Sequence, residues 1–111
     1  MVSQRDIVLV TFPFSDRSGT KVRPVLVISN DVYNAKFDDF IGIPITSNTN
    51  LRDYTISVTN KKLESGNLLV ASVIKVDKIT SIDQALVRKT IGKVKKQVHE
   101  DAKNMLASLL N

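Results

Sequence analysis

The sequence predicts a mainly β fold, a small barrel with a helix at its C-terminus. Two observations predict it. Apolar runs rich in Val and Ile recur at roughly ten-residue spacing with turn-forming residues between them, the pattern of five or six short strands. Val98, Ala102, Met105, Leu106, Leu109 and Leu110 then fall at i, i+4, i+7, i+8, i+11 and i+12, a helical stripe that the earlier runs lack. Closing the sheet into a barrel removes the exposed edges that such strands otherwise leave. At 111 residues with no linker, repeat or low-complexity tract, residues 1–111 are expected to form one domain with one core.

The elements follow in order. DIVLVTF (6–12) is apolar on both faces and too rich in β-branched residues for a helix, so it reads as a central strand. PFSDRSGTKV (13–22) is a loop. In GTKVRPVLVIS (19–29), Pro24 cannot donate to a sheet ladder and biases Arg23 towards extended geometry, so the pair is expected to open a strand over 24–29. NDVYNAK (30–36) suits one helical turn capped by Asn30 or Asp31. DFIGIPITS (39–47) and YTISVT (54–59) read as strands, NKKLESGN (60–67) as a turn, and LLVASVIKV (68–76) and ALVRKTIGKV (85–94) as strands. Lys95 and Lys96 cap the final helix poorly, since its N-terminal dipole prefers anions.

Composition excludes several classes of function. With no cysteine and one histidine, disulfides and a protein-ligated zinc centre are not expected. GxGxxG, P-loop, HExxH and GxSxG motifs are missing. His99, within the terminal helix, is expected to face solvent beside Glu100 rather than to catalyse. No apolar run approaches the roughly 20 residues of a membrane span, and MVSQRD lacks a signal-peptide layout, so a cytoplasmic location is expected. The charge is uneven. Residues 1–60 carry six basic and six acidic side chains, whereas 61–111 carry ten and five. Such asymmetry suits a polyanion or an acidic peptide as partner, or a solvated basic face.

The remaining chemistry gathers at strand ends: Arg23, then Thr46, Ser47 and Asn48, then Lys75, Asp77 and Lys78. A guanidinium beside a hydroxyl can hold a phosphate, the first bidentately and the second by a single hydrogen bond. Thr46 and Ser47 are equally ordinary turn formers, and Asp77 an ordinary partner for a neighbouring lysine.

DIVLVTFPFSD, GTKVRPVLVISND, IPITSN and VIKVDKITSID followed by IGKV resemble, in that order, the MazF/PemK family of toxin endoribonucleases from type II toxin–antitoxin systems. The resemblance implies a small SH3-like barrel of the kind shared with CcdB. It also implies a homodimer whose grooves bind single-stranded RNA, and metal-independent, cofactor-free cleavage of mRNA through the 2′-hydroxyl to leave a cyclic phosphate. It carries the active-site arginine and threonine onto Arg23 and Thr46. It implies RNA contacts in the neighbourhood of Phe14, Ser15, Lys21, Ser47, Asn48, Lys75, Asp77 and Lys78. Phe14 can stack on a base or sit in the core. Lys75 stands where some members have an arginine, so the planar fork is lost. Arg5 replaces the family's usual glycine before Asp6. A second implied partner is an antitoxin with an acidic, disordered tail. Two rival readings stand beside this one. A gyrase inhibitor of the CcdB type depends on a tryptophan near the C-terminus, which ASLLN lacks. A barrel that binds RNA or protein without cutting would use Arg23 and Thr46 in the same way.

Overall fold

The run DIVLVTFP has no polar face, and it forms a strand buried on both sides. In the computed structural model, which describes residues 1–13 and 20–111, this is β1 (Asp6–Pro13). Its Ile7 turns into one apolar cluster, its Val8 and Val10 into another. The chain continues through β2 (Thr20–Val27), α1 (Asp31–Lys36), β3 (Asp39–Thr46) and β4 (Thr55–Val58). β5 (Leu63–Gly66), β6 (Ser72–Lys75), β7 (Thr80–Asp83), β8 (Val87–Val94) and α2 (Lys96–Leu110) follow. Adjacent strands run β4-β6-β3-β2-β1-β8-β5, with β7 also on β3, all antiparallel. The sheet curls into a half-barrel with α2 against one side. Among the described residues no helix is long and apolar enough to cross a membrane.

Strand alternation divides the core. Leu26, Ile43, Ile45 and Ile74 share a cluster with Val98 and Ala102 of α2, and Met105 and Leu106 pack on it. Val25, Val27, Phe40 and Ile82 fill the other face with Val8 and Val10. The predicted stripe therefore seats α2, although Leu110 at its end is 82% exposed. Gly42 lets β2 and β3 close on the second cluster, since a Cβ there would lie 2.5 Å from Val25 Cγ1 and 2.9 Å from Phe40 Cε2.

β3 is the hub, and its proline shows how. Its outer edge pairs with β7 as far as Gly42 and with β6 from Ile45 onward. Pro44 falls between the two ladders, where that edge requires no amide donor. Asn30 caps α1 as expected, its side chain accepting from the Tyr33 amide.

Four expectations are corrected. Pro24 lies inside β2 rather than at its start, opposite Leu9 of β1. The run 68–76 is a strand only over Ser72–Lys75, because Leu69 and Val70 project into solvent. Residues 63–66 and 80–83, read as turn or passed over, are strands, which brings the described total to eight.

The fourth correction is His99, which is buried at 9% exposure and whose Nδ1 has no hydrogen-bond partner among the described residues. Burial is the main cause lowering its pKa from the usual 6.5, with Lys103 and Arg5 adding to it and Glu100 opposing. A depressed folded-state pKa means that protons bind the unfolded chain preferentially. Full stability is therefore present above the unfolded value of 6.5 and declines as pH falls through it towards the folded pKa. Thermal unfolding between pH 8 and pH 5 should show the loss, and His99→Leu should flatten it. An equally steep wild-type and variant profile would assign the dependence elsewhere.

Arg5 explains the glycine expected at its place. Its φ is 78°, left-handed backbone that glycine adopts without strain. The position ties β2 to β8, since the Arg5 amide donates to the Val27 carbonyl and the Val94 amide donates to the Arg5 carbonyl, both at 2.9 Å. The guanidinium offsets the strain by donating to the Val94 carbonyl (2.9 Å) and to Glu64 (3.3 Å). Arg5→Gly should stay within about 1 kcal/mol of wild type, strain relieved against bonds lost. Arg5→Val keeps the strain and loses the bonds, so it should cost about 1–3 kcal/mol in denaturant unfolding.

Candidate active site

Arg23 and Thr46 are 23 residues apart in the chain, and the sheet register brings them together. β2 pairs with β3 through Val27↔Gly42, Leu26↔Ile43 and Val25↔Pro44. Continued by two places, that register sets Arg23 opposite Thr46. The ladder itself stops where Pro24 supplies no amide proton. On its other side Thr46 pairs with Val73 of β6, and Lys75 follows two residues along that strand.

Alternation also puts the three on one face. Leu26, Ile43, Ile45 and Ile74 point into the cluster beneath α2. Arg23, Thr46 and Lys75 have the opposite parity on their strands, so they share the other face. Arg23 is exposed, while Thr46 and Lys75 are half-buried. A guanidinium, a hydroxyl and an ammonium thus stand on three neighbouring strands, about 4.8 Å apart from strand to strand.

The Thr46 hydroxyl is already oriented. Its oxygen accepts from the Asn48 amide at 3.2 Å, which leaves its proton to donate outward. Asn48 in turn accepts from the Asn50 amide through Oδ1, also at 3.2 Å. Ser47 and Asn48 are exposed at the start of this loop. An open hollow of about 400 Å³ lies beside Arg23, lined by Lys21 and Ser47 together with Leu9, Pro24, Ile45 and Leu69 among others. The predicted residues Lys21, Arg23 and Ser47 therefore converge on this hollow, whereas Thr46 and Lys75 do not line it. Phe14 and Ser15 lie outside the described residues.

Asp77 has a different occupation. Both of its carboxylate oxygens accept from Arg52 Nη2, at 3.0 and 2.8 Å, and Lys78 Nζ stands 3.9 Å away. Hydrogen bonding from Arg52 is the main cause lowering the Asp77 pKa below its usual 3.8; partial burial works against it. Asp77 is consequently an ionised anchor rather than a free base. Arg52 was not among the residues singled out in the sequence. Its only local signal is a lone cation in the polar stretch TSNTNLRD, and its partner lies 25 residues further on. The basic cluster of the second half is likewise dispersed: Lys93 faces Asp6 at 3.3 Å, and Arg88 donates to Thr11 at 3.4 Å.

The sequence profile of PemK-like, MazF-like toxins of type II toxin–antitoxin systems matches residues 3–110. Comparison with curated proteins finds no match. Among solved structures, MazE-MazF from Deinococcus radiodurans is similar at a TM-score of 0.81 and 22% identity, over 98% of this chain and 95% of that one. An endoribonuclease in complex with its cognate antitoxin from Mycobacterial species matches at 0.77 and 13% identity, covering 99% and 95%. The Mycobacterium tuberculosis toxin MazF-mt6 matches at 0.69 and 22% identity, covering 88% and 87%. At these identities the structural likeness is one of fold.

Proposed function

The chain belongs to the PemK-like, MazF-like toxins of type II toxin–antitoxin systems, and from that premise we propose that it is a metal-independent endoribonuclease that cuts single-stranded RNA at Arg23 and Thr46. The observation that supports the reading is the register of β2 on β3, whose continuation two places beyond Val25↔Pro44 faces Arg23 with Thr46.

The chemistry follows from what the groups can donate. The 2′-oxygen of the substrate attacks the adjacent phosphorus, the bond to the 5′-oxygen breaks, and the proton lost from the 2′-hydroxyl is balanced by one gained on the leaving oxygen. The products are a 2′,3′-cyclic phosphate and a 5′-hydroxyl. Negative charge grows on the non-bridging oxygens during attack, and donors aimed there stabilise the transition state more than the ground state. The Arg23 guanidinium supplies two such donors and the Thr46 hydroxyl a third. Lys75 adds charge on the same face without a planar fork, which suits a neighbouring phosphate. Lys21, Ser47, Asn48 and Lys78 extend the polar surface along which the strand would lie. A homodimer and an antitoxin with an acidic tail are the partners this reading assigns. Among the fold neighbours above, the Mycobacterial endoribonuclease is in complex with its cognate antitoxin and the Deinococcus radiodurans structure is MazE-MazF, and the basic second half of this chain complements acidic residues.

The test is a long single-stranded RNA incubated with the purified protein in EDTA, with fragment ends mapped. Discrete cuts bearing 5′-hydroxyl ends are expected. Intact RNA across varied sequences, from a folded protein, would leave a binding module instead.

A further inference from the structure

We propose that Arg52 is a positioning residue that holds the segment Ser47–Asp53 in place over the site, and so decides which RNA sequences are cut; this rests on the ribonuclease reading.

The segment is secured at both ends by bonds that the sheet does not supply. At its start, the Asn48 amide donates to the Thr46 hydroxyl and the Asn50 amide to Asn48 Oδ1. At its end, Arg52 chelates Asp77, and its amide and carbonyl both engage the Thr55 hydroxyl. Asp77 belongs to the 3-10 turn Val76–Lys78, which directly follows Lys75 of β6. The same turn is also joined to the residue just after the segment, by the Val76 amide on the Tyr54 carbonyl at 3.0 Å. Tyr54 takes a φ of 64° there, so the chain leaves the segment through a strained, closely specified turn. One end of the segment thus rests on the hydroxyl of the candidate site, and the other on the turn that follows the strand carrying its ammonium.

What the segment presents is suited to reading bases. Ser47, Asn48, Thr49 and Asn50 are all exposed. With Oδ1 of Asn48 committed to Asn50, its amide nitrogen is left to donate, and base edges of an unpaired strand offer matching acceptors. A single-stranded substrate can be read in this way only if the donors hold still, because discrimination depends on placement. The clamp is poorly suited to any other task. Arg52 is 48% exposed, and an ion pair so open to solvent adds little to folding stability.

The experiment maps every cut made in one long single-stranded RNA by the wild type, Arg52→Ala, Arg52→Lys and the exchanged pair Arg52→Asp with Asp77→Arg. Arg52→Ala is expected to keep cutting, with its preference for the best site over the next reduced about tenfold and KM raised more than kcat is lowered. Arg52→Lys should keep part of the wild-type preference, since a single nitrogen, Nη2, makes both bonds and an ammonium can donate to the same two oxygens. The exchanged pair should recover the wild-type cut pattern. A purely structural role would slow all sites equally and leave the pattern unchanged, and that outcome overturns the proposal. Hydrogen exchange gives a readout that needs no activity. The Asn48 and Asn50 amides should exchange faster in Arg52→Ala while those of β2 and β3 do not, and unchanged exchange also overturns the clamp. RNA left intact by the wild type would instead overturn the ribonuclease reading, and the assignment of cut sequences with it.

Discussion

Arg23→Ala is expected to lower the cleavage rate by on the order of a hundredfold to a thousandfold, the effect of withdrawing the guanidinium donors from a developing oxyanion. The loss is expected in kcat, because the guanidinium acts where charge accumulates rather than where the strand is held. Stability should hardly change, since the Arg23 side chain is exposed and the β1–β2 ladder runs through its backbone. Arg23→Lys separates charge from geometry. It restores the cation without the fork and should recover only part of the rate. Thr46→Val removes a single donor from the opposite strand and should also slow the reaction. If single-turnover rates for Arg23→Ala lay within threefold of wild type, the register would have brought together the wrong pair.

The largest expected effect on stability is at Phe40. Its side chain is fully buried in the cluster that also holds Val25, Val27 and Ile82, and it lies against Gly42. Phe40→Ala removes most of that ring and leaves a cavity, at a cost of about 3–5 kcal/mol. Domains of this kind have only about 5–15 kcal/mol in total, so the variant would be near its unfolding threshold. Phe40→Leu should cost less by filling part of the space. Urea unfolding checks both, and a loss below about 1 kcal/mol for the alanine would mean that this cluster is not packed as described.

Much of this was legible in the chain, and the gaps have physical causes. Apolar runs at 6–12 and 39–46 are strands because nothing else buries both faces of so short a segment. In the run 68–76 apolar composition does not mean burial, since Leu69 is fully exposed. LESG and TSID were missed for the opposite reason: their faces are largely exposed, and pairing with β8 and β3 makes them strands. Arg23 and Thr46 stood out through what precedes and follows them, a proline on one side and a polar break on the other. Arg52 did not, because a clamp is defined by its distant partner. His99 was misplaced because one polar residue on a stripe says nothing about which way it leans.

The proline gap in β3 has an engineering consequence. Arg23 and the backbone of Thr46 belong to strands held by β1 and β6, while residues 49–51 project beyond the last rung of either ladder. On the proposed assignment, reactivity and address are stored in different parts of the chain, one in woven sheet and the other in an overhang. An overhang can be exchanged like a key blade in a fixed handle. Grafting foreign tripeptides between Asn48 and Arg52 would be a direct route to cutters with new target words, with the chemistry beneath them untouched.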